Sequence, residues 1–399
     1  MTVPELWAGV DIGKTHHHCV VINADGQRLL SRRILNDEKA LLELIGDVEA
    51  LSQDVLWTVD LNHGGAALLI GLLLNHGQPV AYLTGLAVYR ASGTYRGEGK
   101  TDCGHDAFVI ADQARVRRDI GLLRPGDEIA VDLRTLTTRR LDVVFDRTRQ
   151  INRLRAQLLE IFPALERAVE LTRKGPVLLL TGFQTPGAIR RAGANRIESW
   201  LRTRKVRGAA ALAKVAVEAA QAQHTTLPGQ RLAATMVARL AKGVMNLDEE
   251  IAELDSLIEA RFRQHPHAEV IRSLPGMGTN LAAEFLAATG GDMTTFDSVD
   301  RLAGFAGLAP RPRDSGRVSG NLHRPRRYHR GLLRSMYLSS MVSLQCCAAS
   351  KAYYQRKRHE GKGHKQALLA LARRRLNVLW AMIRDGKCYH ASPPVTAVA

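Results

Sequence analysis

Residues 6–34, LWAGVDIGKTHHHCVVINADGQRLLSRRI, decide the fold class of this chain. Leu6 to Ile12 is an apolar run short enough for a buried strand, and Gly13-Lys14 follows as a tight turn. His17 to Ile22 forms a second strand, and Ala24-Asp25-Gly26 turns into a third, Gln27 to Ile34. That is a meander. Helical periodicity from Glu38 to Leu51 comes next, then a strand Val55 to Val59, a helix from Gly65 to His76 and a strand Pro79 to Leu83. A meander followed by alternating helix and strand predicts a mixed α/β sheet. His16-His17-His18 lies on a strand, where neighbouring side chains point to opposite faces, so it does not read as a metal site.

From Leu136 the texture changes to long helices. Leu141, Val144, Thr148, Ile151, Arg155, Leu158 and Phe162 are spaced three and four apart up to Pro163. A second seam, Leu240, Val244, Leu247, Ile251, Leu254 and Ile258, has no polar break. These seams predict coiled-coil pairing, within the chain or between chains, or packing on a globular core. Between them, Gly175 to Gly229 reads as helices with basic turns, notably RRAGANRIESWLRTRKVR. Near Ala268 a third region opens, where Ile271 to Gly278, IRSLPGMG, joins two helical patterns. Such a hairpin exposes backbone N–H groups that hold a phosphate irrespective of base, here at Gly276 and Gly278. The expected division is 1–135, a mixed-sheet catalytic domain; 136–265, a helical coiled-coil region; and 266–399, a mainly α domain with a helix-hairpin-helix.

Charge narrows the function. Among 399 residues, 56 Lys and Arg against 39 Asp and Glu leave a net charge of +17, which attracts polyanions, nucleic acid first. With 45% hydrophobic and 24% charged residues the composition is that of an ordinary soluble protein. No apolar run is long enough to span a bilayer, and no secretory leader is evident, so no membrane partner and a cytoplasmic location are expected. Five cysteines without zinc-ligand spacing argue against a disulfide framework, and adjacent Cys346 and Cys347 read as buried small hydrophobes.

Two constellations carry chemistry. Asp11 ends the first strand and Asp60 the fourth, and GEGKTDCGHDAFVIADQAR, residues 97–115, opens a helix with Asp102 and Asp106 on one face, about 40° apart. An Asp at a strand end is commonly a turn former or cap, and Asp102 also suits the N-cap of its own helix. Four gathered carboxylates, however, repel unless cations neutralise them, and an oxygen-only set suits Mg²⁺ or Mn²⁺. Two such ions about 4 Å apart clamp the attacking and leaving oxygens of a phosphodiester. The second constellation is AGFAGLAPRPRDSGRVSG, residues 303–320, followed by NLHRPRR. Between Arg301 and Arg330 stand eight Arg and one acid, Asp314. Arg311, Arg313, Arg317, Arg324, Arg326 and Arg327 surround Ser315 as a phosphate-binding surface. Ser315 reads as a loop residue or as a nucleophile whose developing charge the arginines stabilise.

Through GVDIGK, Asp60, KTDCGHDA, LPGMG and AGFAGLAPRPRDSG, in this order, the chain resembles the DEDD transposases of bacterial insertion sequences, the bridge-RNA-guided serine recombinases. The resemblance covers nearly the whole chain. It implies a RuvC-like (RNase H-like) N-terminal domain and a C-terminal transposase domain. Asp11, Asp60, Asp102 and Asp106 would bind Mg²⁺, with Mn²⁺ as substitute, and Ser315 would form a transient phosphoserine link with DNA. It further implies donor and target DNA and a structured bridge RNA as partners, a composite site drawn from different subunits of a tetramer, here a dimer of dimers, and association with the nucleoid. Two departures stand out. The second acid, usually Glu in the family, is Asp60 here, and the last pair is spaced by four rather than three, which leaves His105 as the alternative to Asp106. Ser319 is the second candidate nucleophile. A metal-dependent nuclease using water and a non-catalytic nucleic-acid-binding protein are the alternative readings.

Overall fold

The computed structural model describes residues 4–61, 64–83, 85–95, 103–117, 120–123, 128–291, 293, 296, 298–312, 314–317, 319–320, 322–323 and 325–391. Two compact units divide the chain, Met1–Asp127 and Glu128–Ala399.

In the first unit the apolar run after the N-terminus is strand β1 (Leu6–Asp11), and β2 (His16–Ile22) and β3 (Arg28–Leu35) complete the meander. Helix α1 (Glu38–Glu49) starts at Asp37, whose carboxylate accepts from the Ala40 N–H at 2.9 Å. Then come β4 (Val55–Val59), α2 (Ala67–Asn75), β5 (Val80–Tyr82), α3 (Gly85–Ser92), α4 (Cys103–Val116) and β6 (Leu122–Leu123). The sheet order is β3-β2-β1-β4-β5-β6, with β1, β4 and β5 parallel and the others antiparallel, which makes the expected mixed sheet. Strand β6 went unread because two residues are too few to show alternation.

Alternation along β1 sorts its side chains between two layers. Leu6, Ala8 and Val10 pack with Leu41, Leu44 and Leu69 of α1 and α2, whereas Trp7 packs with Ala107, Ala111 and Ala114 of α4. Gly9 faces α4 as well. A Cβ at Gly9 would stand 2.3 Å from both the Ala107 carbonyl and the Ala111 nitrogen, so the bare backbone lets the helix lie directly on the strand. Because the obstructing atoms are backbone, no rotamer change relieves the contact. Gly9→Ala is therefore expected to destabilise this unit by about 3 kcal/mol, read as a lowered thermal midpoint. An unchanged midpoint would contradict this packing.

Among its described residues the second unit is helical apart from one hairpin: α5 (Glu128–Ile161), α6 (Pro163–Ala168), α7 (Lys174–Gly182), α8 (Pro186–Thr203), α9 (Ala209–Gln221), α10 (Gln230–Phe262), α11 (Ala268–Ser273), α12 (Thr279–Thr289), α13 (Val299–Phe305), β7 (Arg311–Pro312), β8 (Leu322–His323), α14 (Arg330–Cys346), α15 (Ala348–His359) and α16 (His364–Asp385). Helices α5 and α10 pack antiparallel within the chain. Their N- and C-terminal ends, at Leu133 and at Ile258 and Phe262, join a core with α11, α12, α14 and α16. Their opposite ends, at Ile151, Leu154 and Leu158 and at Val237, Ala241 and Val244, join a second core with α6 to α9. Ion pairs tie them between: Arg139 with Glu250 at 2.6 Å, Arg140 with Asp255 and Arg147 with Asp248.

The seams differ in detail from the sequence pattern. On α5, Val143 and Leu154 are buried while Thr148 is exposed; on α10, Val244, Leu254 and Ile258 are buried and Leu240, Leu247 and Ile251 only half so. A helix serving two separate cores turns different faces to each, and a single heptad stripe does not describe it. Cys347 is buried as expected, but Cys346 is exposed, because α14 ends there and Cys347 is extended (φ −134°, ψ 108°). Among the described residues no helix is long and apolar enough to cross a membrane.

Candidate active site

Pairing of β1 with β4 decides where the first two acids stand. The strands are parallel with Val10 beside Val59, so the next residues, Asp11 and Asp60, are neighbours at the C-terminal edge of the sheet. Both lie on the α4 face, since alternation carries Trp7, Gly9 and Asp11 to one side, and Leu56 packs against that same α4 layer. The Ile12 N–H donates to Asp60 Oδ1 at 3.3 Å. The close seating of α4 on Gly9 brings its first turn, with Asp106, into electrostatic reach of both acids.

These carboxyls are held in an unfavourable setting for charge. Burial raises Asp11 above the ordinary carboxylate value; a hydrogen bond with Cys103 opposes this, and the Asp106 charge adds to it. Burial and the charge of Asp11 push Asp60 up to about 6, partly offset by the Ile12 N–H, with Asp106 contributing further. Burial and the Asp60 charge also raise the hydroxyl of Tyr82, which ends β5 opposite Val59. A cation relieves such mutual repulsion, and an all-oxygen donor set fits Mg²⁺ or Mn²⁺. Among the described residues no three acids, cysteines or histidines already converge as ligands, and Asp102 lies outside the described residues. Cys103 and Tyr82 were missed in sequence reading as neighbours of the acids, and His18, the residue opposite Asp11 on β2, was set aside there with the rest of the histidine run. Tyr82 ends a strand adjacent to an acid-bearing one, which was the available signal.

In the second unit the serine segment is the hairpin β7–β8, with Arg311 opposite His323. Ser315, Arg317 and Ser319 are exposed between the strands, as are Arg311, Arg326 and Arg327 around them. Arg313 and Arg324 lie outside the described residues. The base of the hairpin is firmly seated. Gly307 (φ +70°) lies against the Tyr328 ring, where a Cβ would come within 2.5 Å. The His329 N–H donates to the Phe305 carbonyl at 2.7 Å, its ring stacks on Phe305 and its Nδ1 accepts from the Leu332 N–H at the start of α14. Burial, then the Arg134 charge, lowers the His329 pKa, which favours the neutral ring this cap requires.

The LPGMG segment turns between α11 and α12. Gly278 is exposed as the N-cap of α12, but Gly276 is committed to packing: at φ +79° its absent Cβ would stand 2.6 Å from the Ser339 carbonyl and 2.7 Å from the Ser343 nitrogen of α14. Buried Arg375 of α16 braces this junction, donating through Nη2 to the Pro275 carbonyl and to Ser339 Oγ. Gly276→Ala combines backbone strain with a backbone clash and is expected to cost about 3 kcal/mol or more, seen as a drop in thermal midpoint. Gly278→Ala, with nothing within 4 Å of the new Cβ, should leave the midpoint in place.

Two family models match the chain. One, described as a transposase, covers residues 8–163, and the other, described as a transposase of the IS116/IS110/IS902 family, covers residues 268–355. The chain is 59% identical to the insertion element IS900 uncharacterized 42 kDa protein of Mycobacterium paratuberculosis, over 99% of this chain and 98% of that protein. It is 48% identical to the insertion element IS116 uncharacterized 44.8 kDa protein of Streptomyces clavuligerus, over 99% and 98%. With the mini-circle putative transposase for IS117 of Streptomyces coelicolor it shares 27% identity over 94% and 92%.

Proposed function

Because the chain belongs to the IS116/IS110/IS902 family of insertion-sequence transposases, we propose that it cuts and rejoins DNA with Mg²⁺-binding carboxylates and a serine nucleophile. Asp11, Asp60, Asp102 and Asp106 hold the metal, and Ser315 is the nucleophile. The observation that carries the reading is the placement of Asp11 beside Asp60 on adjacent parallel strands, each carboxyl raised by burial and by nearby acids. Bound Mg²⁺ or Mn²⁺ supplies the positive charge that balances these acids and the scissile phosphate. Ser315 loses its hydroxyl proton as its Oγ bonds to phosphorus, the phosphodiester bond to the departing strand breaks, and the departing oxygen takes up a proton. Attack by the hydroxyl of another strand end reverses these changes and releases the serine. Exposed Arg311, Arg317, Arg326 and Arg327, with Arg313 and Arg324, stabilise the negative charge that develops.

The same reading assigns residues 1–135 to a RuvC-like catalytic domain, 136–265 to a coiled-coil region built on α5 and α10, and 266–399 to a transposase domain. Its helix-hairpin-helix is α11–α12, which meets the DNA backbone through Gly278 and the main chain of the turn at Gly276. A structured bridge RNA from the element selects donor and target DNA by base pairing, and a dimer of dimers, nucleoid-associated in the cytoplasm, performs the exchange. The test is to mix protein, element-end DNA, target DNA and the element's RNA in Mg²⁺, then quench in detergent. A DNA adduct mapping by mass spectrometry to the Ser315 peptide is expected. Recombination without any protein–DNA adduct would overturn the serine assignment.

A further inference from the structure

Formed by residues of neither constellation, a cavity of about 790 Å³ opens in the second unit where the α6–α7 turn meets the α8–α9 turn. It lies within the region whose basic turns the function above does not use. Val169, Val206, Leu212 and Val215 give it an apolar lining, and Arg173, Lys174, Lys205 and Arg207 stand exposed on its rim. Exposed cations are usually a solvated face. Here, however, none of the four makes a side-chain hydrogen bond or ion pair among the described residues, and they converge on one concave apolar surface. The single carboxylate of the lining, Glu170, is engaged by Arg155 at 3.1 Å and by the Thr172 hydroxyl at 2.9 Å.

Two further features suit a bound phosphate. Helices α7 and α9 both begin on this cavity, at Lys174 and Ala209, and neither has a side-chain cap, so no capping side chain takes the free N–H groups of their first turns, which in α7 are those of Lys174 and Gly175 because Pro176 has none. Arg204, also on the lining, sits over the Trp200 ring with its guanidinium carbon 3.9 Å from the ring centroid, a planar cation of the kind on which bases stack. The size matches sites of about 300–1,000 Å³ that enclose small organic groups.

We propose that this cavity binds single-stranded nucleic acid, taking one unstacked base onto its apolar lining while the rim cations hold the flanking phosphates. An acidic peptide would use the cations but leave the apolar lining unfilled; duplex would use the rim alone. This site is independent of the acids and of Ser315.

The experiment measures anisotropy of labelled oligo(dT) and oligo(U) on the full-length protein across a salt series, with matched duplex as control. The pair Lys174→Glu with Arg207→Glu should weaken single-strand binding at least about ten-fold and flatten the salt slope by about 1.4, at about 0.7 for each phosphate that the rim no longer neutralises. Ala211→Trp, at an exposed lining position, should fill the cavity and weaken single-strand binding about five-fold with no change for duplex. A thermal melt on each variant establishes that it is folded. Single-strand affinity unchanged in both folded variants, or equal losses for duplex and single strand in Ala211→Trp, would overturn the proposal. So would free dTMP or UMP competing at the same concentration as the oligonucleotide.

Discussion

Ser315→Ala is expected to abolish strand exchange, by about 10⁴-fold or more, while the protein still folds and binds DNA. The size follows from the chemistry: without the hydroxyl no covalent link forms between protein and DNA, and the pathway loses its first step. Stability should hardly change, because Ser315 is exposed between two short strands and surface substitutions of this kind stay within about 0.5 kcal/mol. Ser319→Ala serves as the internal comparison, being also exposed in the same hairpin, and should retain activity. Measuring recombinant product and covalent adduct side by side separates three outcomes. Loss of both in Ser315→Ala alone supports the assignment. Loss only in Ser319→Ala transfers the role to Ser319. Full product from both variants leaves a water-using nuclease as the better reading.

The second large effect is at Asp60, and it has opposite signs for activity and stability. Asp60→Asn should lower Mg²⁺-dependent turnover by about 10³-fold or more, since a neutral amide is a poor ligand for a hard cation. In metal-free buffer at pH 7 the same variant should melt a few degrees higher than the parent. The sign is fixed by linkage. The folded-state carboxyl has its pKa raised from 3.8 to about 6, so the folded protein keeps that proton to higher pH than the unfolded chain. Folding stability is thus lost as pH rises from about 4 to about 6, and stays lost above. Asn carries no charge and avoids this loss, so its advantage should vanish below pH 4 and be complete above pH 6. Adding Mg²⁺ should stabilise the parent and not the variant. A variant that melts lower at pH 7, or that keeps full turnover, would remove Asp60 from the metal-binding set.

Much of the first unit was legible in the chain. The strand runs Leu6 to Ile12, His17 to Ile22 and Val55 to Val59 lie within a residue of β1, β2 and β4, because an apolar run between turn residues has few other ways to bury itself. Asp11 and Asp60 stood out for the same reason, Asp11 being the one charged residue of its run and Asp60 the first residue after its own. The resemblance to DEDD transposases was likewise carried by local motifs, and the family matches over residues 8–163 and 268–355 agree with it.

What the chain alone left open depends on contacts distant in sequence. Gly276 reads in sequence as a turn glycine offering its N–H to a phosphate, and nothing near it in the chain shows that its Cα is packed against Ser339 and Ser343 of α14. Likewise, Gly9 is an unremarkable strand residue until α4, from the other end of the same unit, lies against it. The heptad stripes of α5 and α10 are local, but which of their faces is buried depends on two separate cores assembled from other helices. Periodicity and turn chemistry act between near neighbours and so are written in short stretches of sequence. Parallel strand register, close backbone approach and the raised pKa of Asp60 arise only when remote segments meet, and for those the tertiary structure was decisive.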